Sequence, residues 1–437
     1  MGCTYTMSGN TITSSGNYDV FTAQIDPFSG YAIWMHKSGG AQQDIGTGIC
    51  PEIGGGFYLT GSFTSTATFG TNNVSINSGG FSNTNIFVAK FTSLGVCLWV
   101  QQAGNTSSID RGMAITELAS GYVAVAGFYE GPANFGSILL TPVIGADMFV
   151  AAYNPAGVVQ WAKKGAGRGT DIPTAISKDA ADNIYITGAI GDSAYFDGNL
   201  APDNGYGSVI TAKYNSGGTF QWVKWGNSPV SFDGGSDLAT DASGSTYTVG
   251  VLSGNATFSG VPVIGAAGAD GFIAKYSTTG ALTWVTRTAA PFSNDIKAIV
   301  IPNTGGGYVY ILGEYETTIN LGSTTLTVTT ANQPQLFLTR LGGGTVGIFE
   351  APNDPIQLSA YPNPTTDMIH VSAAGLVDYI VSFEIINASG ELVSTSPVSV
   401  VAGNAALSLP VNQLAKGNYI LRLNASDRTA VSRFVKL

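Results

Sequence analysis

Five aspartates recur at nearly constant spacing: Asp44, Asp110, Asp171, Asp233 and Asp295 stand 66, 61, 62 and 62 residues apart. Each precedes a short apolar stretch, as in Asp171 to Ile176, and all five are expected near one mouth of a central channel. Five hard oxygen donors around a pore can hold a cation such as Ca2+. An Asp repeated once per unit is better explained as an acceptor of backbone N–H bonds in a turn, doing the same work in every copy. A second series, Trp34, Trp99, Trp161, Trp222 and Trp284, suits packing between units more than sugar stacking, because it too keeps the period. Trp225 lies outside it. The only histidines, His36 and His370, belong to no HExxH, GxSxG, phosphate-loop or zinc spacing, so a Ser/His nucleophile is disfavoured. Asp192, Asp197 and Asp203 offer carboxylates of the kind a glycosidase pairs, but they share one long connection whose default is a solvated loop. No catalytic residue or bound cofactor is assigned, and Ca2+ is the single cation considered. Cys3, Cys50 and Cys97 lack any metal or disulfide pattern and read as ordinary thiols.

The elements that position these residues follow from the composition. Only 11% of the 437 residues are charged and 58 are Gly, which disfavours long helices and suits short strands joined by tight turns. A net charge of −10 argues against nucleic acid or an anionic membrane surface as partner, since both demand clustered Lys and Arg. No stretch reaches the 18 or so apolar residues of a membrane-spanning helix. The opening MGCTYTMSGN has neither the basic nor the apolar region of a signal peptide.

Segments of the form FVAKF recur with Ile25, Phe91, Tyr153, Tyr214, Tyr276 and Leu341 in register, at separations of 66, 62, 61, 62 and 65 residues. A tryptophan strand follows about ten residues after each of the first five. Between these pairs lies another: the Asp-led strand, a Gly, Asn or Asp turn, then Tyr-x-x-Gly, which together make a hairpin. Four strands per period of about 62 residues predict the blades of an all-β propeller over residues 1–345. A linear solenoid is the competing arrangement. The run Asp-x-x-x-x-Ile, Tyr-x-x-Gly, Ala67-Thr68-Phe69-Gly70, Phe-x-Ala-Lys-Tyr and then Trp resembles the bacterial beta-propeller repeat family abbreviated SBBP, over roughly residues 5 to 350. That resemblance implies a fold and no activity. Six copies of the FVAKF strand stand against five of the preceding hairpin, so the first blade is expected to lack its two inner strands. Truncation ahead of Met1, removing a hairpin and a signal peptide, accounts for this reading, with six blades expected and seven as the alternative.

A Gly- and Pro-rich linker over 346–355 leads to residues 356–437, where short alternating strands predict a small Ig-like β-sandwich. This segment is similar to the C-terminal sorting domain of the type IX secretion system. The resemblance rests on Tyr361-Pro362-Asn363-Pro364, on the block around Gly390, on Gly417 with Tyr419, and on the closing run with Phe434 and Lys436. Pro362 and Pro364 are expected to fix an extended lead-in, and Gly417 to make a turn before the next strand. The resemblance implies export through the periplasm, recognition by the outer-membrane translocon, removal of the domain, display on the cell surface, and a Bacteroidetes source. The expected function is a secreted or surface propeller, not an enzyme, that binds protein or glycan for adhesion; the alternative is a polysaccharide-acting glycosidase or lyase on the same scaffold.

Overall fold

The computed structural model covers residues 1–437 and describes all except 1–3, 81–82, 106, 204–206, 229–232, 242, 265–268, 289–292, 303–307, 322–323, 329–333, 342–346, 350–356, 375–379, 388–391, 401–403 and 425–428. The chain divides into two compact units, Met1–Ile348 and Phe349–Leu437. The described residues contain no helix.

The first unit is propeller-like and consists of six principal antiparallel sheets and two separate two-stranded hairpins. The third sheet typifies the repeat. Its innermost strand Asp110–Glu117 pairs with Val123–Tyr129, that with Asp147–Tyr153, and that with the outer tryptophan strand Val159–Gly167. Every residue of Asp147–Tyr153 is buried, as is every residue of Ile184–Ile190 and Ser208–Tyr214 in the fourth sheet. Both faces of these central strands are covered, which is why their apolar residues run consecutively instead of alternating.

The period holds six strands and not the expected four. In the second to fifth repeats the chain makes, between the second and third strands, a short hairpin that leaves its own sheet and pairs with the outer strand of the preceding one. Ala133–Phe135 joins Ala103 and Gly104, Ala194–Phe196 joins Gly165 to Gly167, and Ala256–Phe258 joins Gly226 and Asn227. The stretch containing Asp192, Asp197 and Asp203, expected to be a loop, is therefore centred on one of these hairpins, with Asp197 at its turn. The donated strands bring aromatic rings between sheets: Phe69 meets Phe87 at 4.8 Å, Phe135 meets Phe149 at 4.7 Å, and Phe258 meets Phe272 at 5.0 Å.

The first sheet comprises Val20–Ile25, Ala32–Gly40 and the donated pair Thr66–Phe69 and Val74–Asn77, with Val20–Ile25 at its edge. The repeat's two inner strands have no counterpart in it.

The second unit is a sandwich of a three-stranded sheet, Gln357–Tyr361, Met368–Ala374 and Asn404–Pro410, and a four-stranded sheet, Leu392–Ser399, Ile380–Asn387, Gly417–Asn424 and Thr429–Lys436. Alternate residues point inward, so Ile369 and Val371 meet Phe383, Ile385, Leu421 and Phe434 in one core.

Candidate functional site

The recurrent aspartates sit where consecutive sheets meet. Asp44, Asp110, Asp171 and Asp233 are fully buried, and each stands at the start of an innermost strand. One carboxylate oxygen accepts the N–H of the residue twenty positions on: Thr64 to Asp44 at 3.2 Å, Glu130 to Asp110 at 3.1 Å, Gly191 to Asp171 at 3.1 Å and Ser253 to Asp233 at 2.8 Å. In three of them the other oxygen accepts an N–H from the end of the preceding outer strand or the residue beyond it: Gly40 to Asp44 at 2.6 Å, Asn105 to Asp110 at 3.3 Å and Ser228 to Asp233 at 2.5 Å. Three of the four also donate their own N–H to the preceding sheet, to the carbonyls of Tyr18, Thr84 and Ala146. Asp44, Asp110 and Asp233 thus staple consecutive sheets with backbone amides on both carboxylate oxygens, whereas Asp171 reaches the preceding sheet through its own N–H.

Burial dominates the electrostatics. It pushes Asp44, Asp110 and Asp233 up to about 6 and Asp171 to about 7, against the lowering effect of the amide donors. Asp171 goes furthest because Asp147 and Asp192 add negative charge nearby, and its second oxygen has no hydrogen-bond partner among the described residues.

Asp295 departs from the series. The strand bulge that falls two residues after each earlier Asp, at Gly46, Gly112, Pro173 and Gly235, falls at Ile296 in the sixth sheet. The staple position there is Asn294, whose Oδ1 accepts the Gly271 N–H at 2.9 Å and whose amide donates to Asp270 at 2.8 Å. Asp295 instead pairs with Lys297 at 2.7 Å. Among the described residues no group of three or more His, Cys, Asp or Glu is arranged to hold a metal.

The tryptophans form a second set of staples. The indole N–H of Trp99, Trp161 and Trp222 donates to Pro155, Ser216 and Thr278 at 3.0, 3.1 and 3.2 Å, in each case a turn of the next repeat. In that turn a glycine lies over the ring: Gly157, Gly218 and Gly280, with φ near +80°, leave room where a Cβ would meet the indole at 2.5 to 2.7 Å. The Lys of Phe-x-Ala-Lys-Tyr has a partner too. Lys90, Lys213 and Lys275 lie over the rings of Tyr58, Tyr185 and Tyr247 at 5.2, 4.9 and 4.7 Å, across the pairing of Tyr-x-x-Gly with the next strand.

The remaining candidates do not converge. Asp197 pairs with Lys163 at 3.3 Å, while Asp203 receives the Ser208 hydroxyl. His36 stacks on Trp34 at 4.6 Å, and Trp225 is half-buried against the core of the fourth sheet. Cys50 and Cys97 are free and buried, and desolvation raises both thiols to about 12; Cys3 lies outside the described residues.

In the second unit, Pro362 to Pro364 make a bend, not an extended lead-in. The Asn363 side chain fastens that bend to the last strand, donating to the Arg433 carbonyl at 2.8 Å and accepting the Val435 N–H at 2.9 Å. Thr365 continues the link by bonding Val435 and Leu437 through its backbone, both at 2.9 Å, opposite Lys436. Tyr361 lies beside His370 at 5.6 Å, and Tyr419 stacks on Phe434 at 5.4 Å. Gly417 is the first residue of its strand, opposite Lys436, and the turn precedes it, over residues 412–416. Gly390 lies outside the described residues.

No curated protein matches the chain. Residues 359–437 match the family described as Secretion system C-terminal sorting domain, so the sandwich is a signal for the type IX secretion machinery and the chain a secreted or cell-surface protein.

Proposed function

We propose that the first unit is a non-catalytic propeller, displayed at the cell surface or released, that binds a protein or glycan through its rim. The observation that carries this reading is the outer face of the donated hairpins. The repeated Asp and Trp residues bond from sheet to sheet and the repeated Lys lies on a Tyr ring of its own sheet, whereas the cross-strand pairs on these edge hairpins differ from copy to copy: Asn134 with Leu139, Tyr195 with Leu200, and Thr257 with Pro262. Leu139, Tyr195 and Leu200 are exposed apolar side chains on these hairpins. A rigid frame carrying varied rim residues is how one fold serves different ligands. The repeats are assigned to the SBBP family and the source to the Bacteroidetes, with passage through the periplasm and removal of the sorting domain at the surface.

A glycan array probed with the purified chain, run beside hydrolysis assays on the polysaccharides it binds, tests the reading. Retention of a glycan class without turnover, weakened by Tyr195→Ala with Leu200→Ser, is the expected result. Turnover of any bound polysaccharide would replace it with the glycosidase or lyase alternative.

A further inference from the structure

We infer that the free edge of Val20–Ile25 is a docking site for a β-hairpin of the protein's own repeat pattern, which closes the gap between the first sheet and its neighbours. In the second to sixth sheets the strand equivalent to Val20–Ile25 is covered on its inner side by the Tyr-x-x-Gly strand, always in one register. Phe87, Phe149, Ile210, Phe272 and Phe337 stand opposite Gly61, Gly127, Gly188, Gly250 and Gly313, and all five are buried. Phe21 holds the same place in the first sheet and is 52% exposed. Beside it runs a groove of about 640 Å³ between Tyr18–Ala23 and Gln43–Ile49.

Two further exposures point to the same missing neighbour. Ile49 is 63% exposed, whereas its counterparts Ile115, Leu238 and Ile299 are buried, and Ile176 partly buried, against the preceding sheet. Leu312, Leu336 and Leu338 of the sixth sheet are also exposed, while the corresponding Ala126, Met148 and Val150 of the third are buried against Ile184, Ile186 and Ile190, in the second strand of the sheet that follows. A hairpin in the first sheet's inner positions extends Val20–Ile25, covers Ile49 and, in a propeller, faces the sixth sheet.

The occupant is specified by glycine. A Cβ on Gly61, Gly127 or Gly313 would first meet the carbonyl oxygen of Ile45, Arg111 or Asp295 in its own hairpin and then the facing Phe ring, so a two-stranded hairpin that covers Phe21 carries Gly opposite it. An unrelated strand satisfies the open backbone edge but not this contact. A second copy of the chain has its own hairpins already paired within sheets.

The test fuses a copy of residues 110–129 directly ahead of Met1, so that residues 1–3 provide the three-residue spacing that separates Tyr129 from Ala133. A matched fusion carries the same twenty residues in scrambled order. Expected is slowing of amide exchange in Val20–Ile25 by about 10-fold or more with the first fusion and not with the second. The same hairpin added as a free peptide to the unfused chain gives a weaker version of that protection. Lack of protection in both formats overturns the inference. So does equal protection by the scrambled version, or a dimer of the unfused chain in which Val20–Ile25 is already protected.

Discussion

At the residue scale the staple aspartates trade stability against pH. In the unfolded chain an Asp loses its proton near pH 3.9, whereas Asp44, Asp110, Asp171 and Asp233 hold theirs to about pH 6 or 7 in the fold. Between those limits the native state binds more protons than the unfolded one, so the contribution is fully present below about pH 4 and is lost as pH rises to about 7. Asp171→Asn removes the largest share: the amide oxygen still accepts the Gly191 N–H, and no charge is left beside Asp147 and Asp192. Denaturant unfolding of the larger unit is expected to show a gain of about 1–3 kcal/mol at pH 8 and almost none at pH 4; a gain independent of pH would mean that packing, not charge, is responsible. Asn294 already occupies this position in the sixth sheet. The sequence revealed the series through its spacing, and it misplaced the last member by one residue. The register is set by the bulge at Ile296, which the one-letter pattern does not mark, and Asp295 beside it drew the assignment.

At the element scale, the long strands were legible and the donated hairpins were not, for a physical reason. Seven-residue strands buried on both faces leave an unmistakable apolar run, whereas three-residue strands such as Ala133–Phe135 are too short to show a period. Nor does local pattern reveal that a hairpin pairs with the sheet before its own. The tryptophan seats bind the same two repeats from the other end. Gly218 has φ +78° and covers the Trp161 indole, while Gly198, at φ +84° in a donated hairpin, has nothing within 4 Å of the Cβ position. Gly198→Ala therefore measures backbone strain alone, at about 1 kcal/mol. Gly218→Ala adds a clash with the ring and is expected to cost about 1–3 kcal/mol more. Equal losses in chemical denaturation would show that the indole seat yields without cost.

At the scale of the whole molecule, the two units have separate cores. The clusters of the first unit each span adjacent sheets of the repeat, whereas Ile369, Phe383, Leu421 and Phe434 belong to a cluster drawn wholly from the sandwich. The sorting motif was legible because its blocks keep their order up to the last residue. What it does in the fold was not legible, since the Asn363 amide finds its partners 70 and 72 residues away. Those two bonds make Asn363 a structural residue whose replacement separates folding from recognition. Both groups it leaves behind are at the surface, where water replaces the lost partner, so Asn363→Ala should cost only about 1 kcal/mol. For a domain of this size that loss lowers the melting point by about 4–8 °C. Calorimetry on the full chain is expected to show two transitions, with the substitution moving only the one that belongs to residues 359–437. If export nevertheless proceeds at the normal rate below that shifted transition, the motif serves the sandwich's own folding. Loss of export with the domain still folded would instead place Asn363 on the surface that the translocon reads.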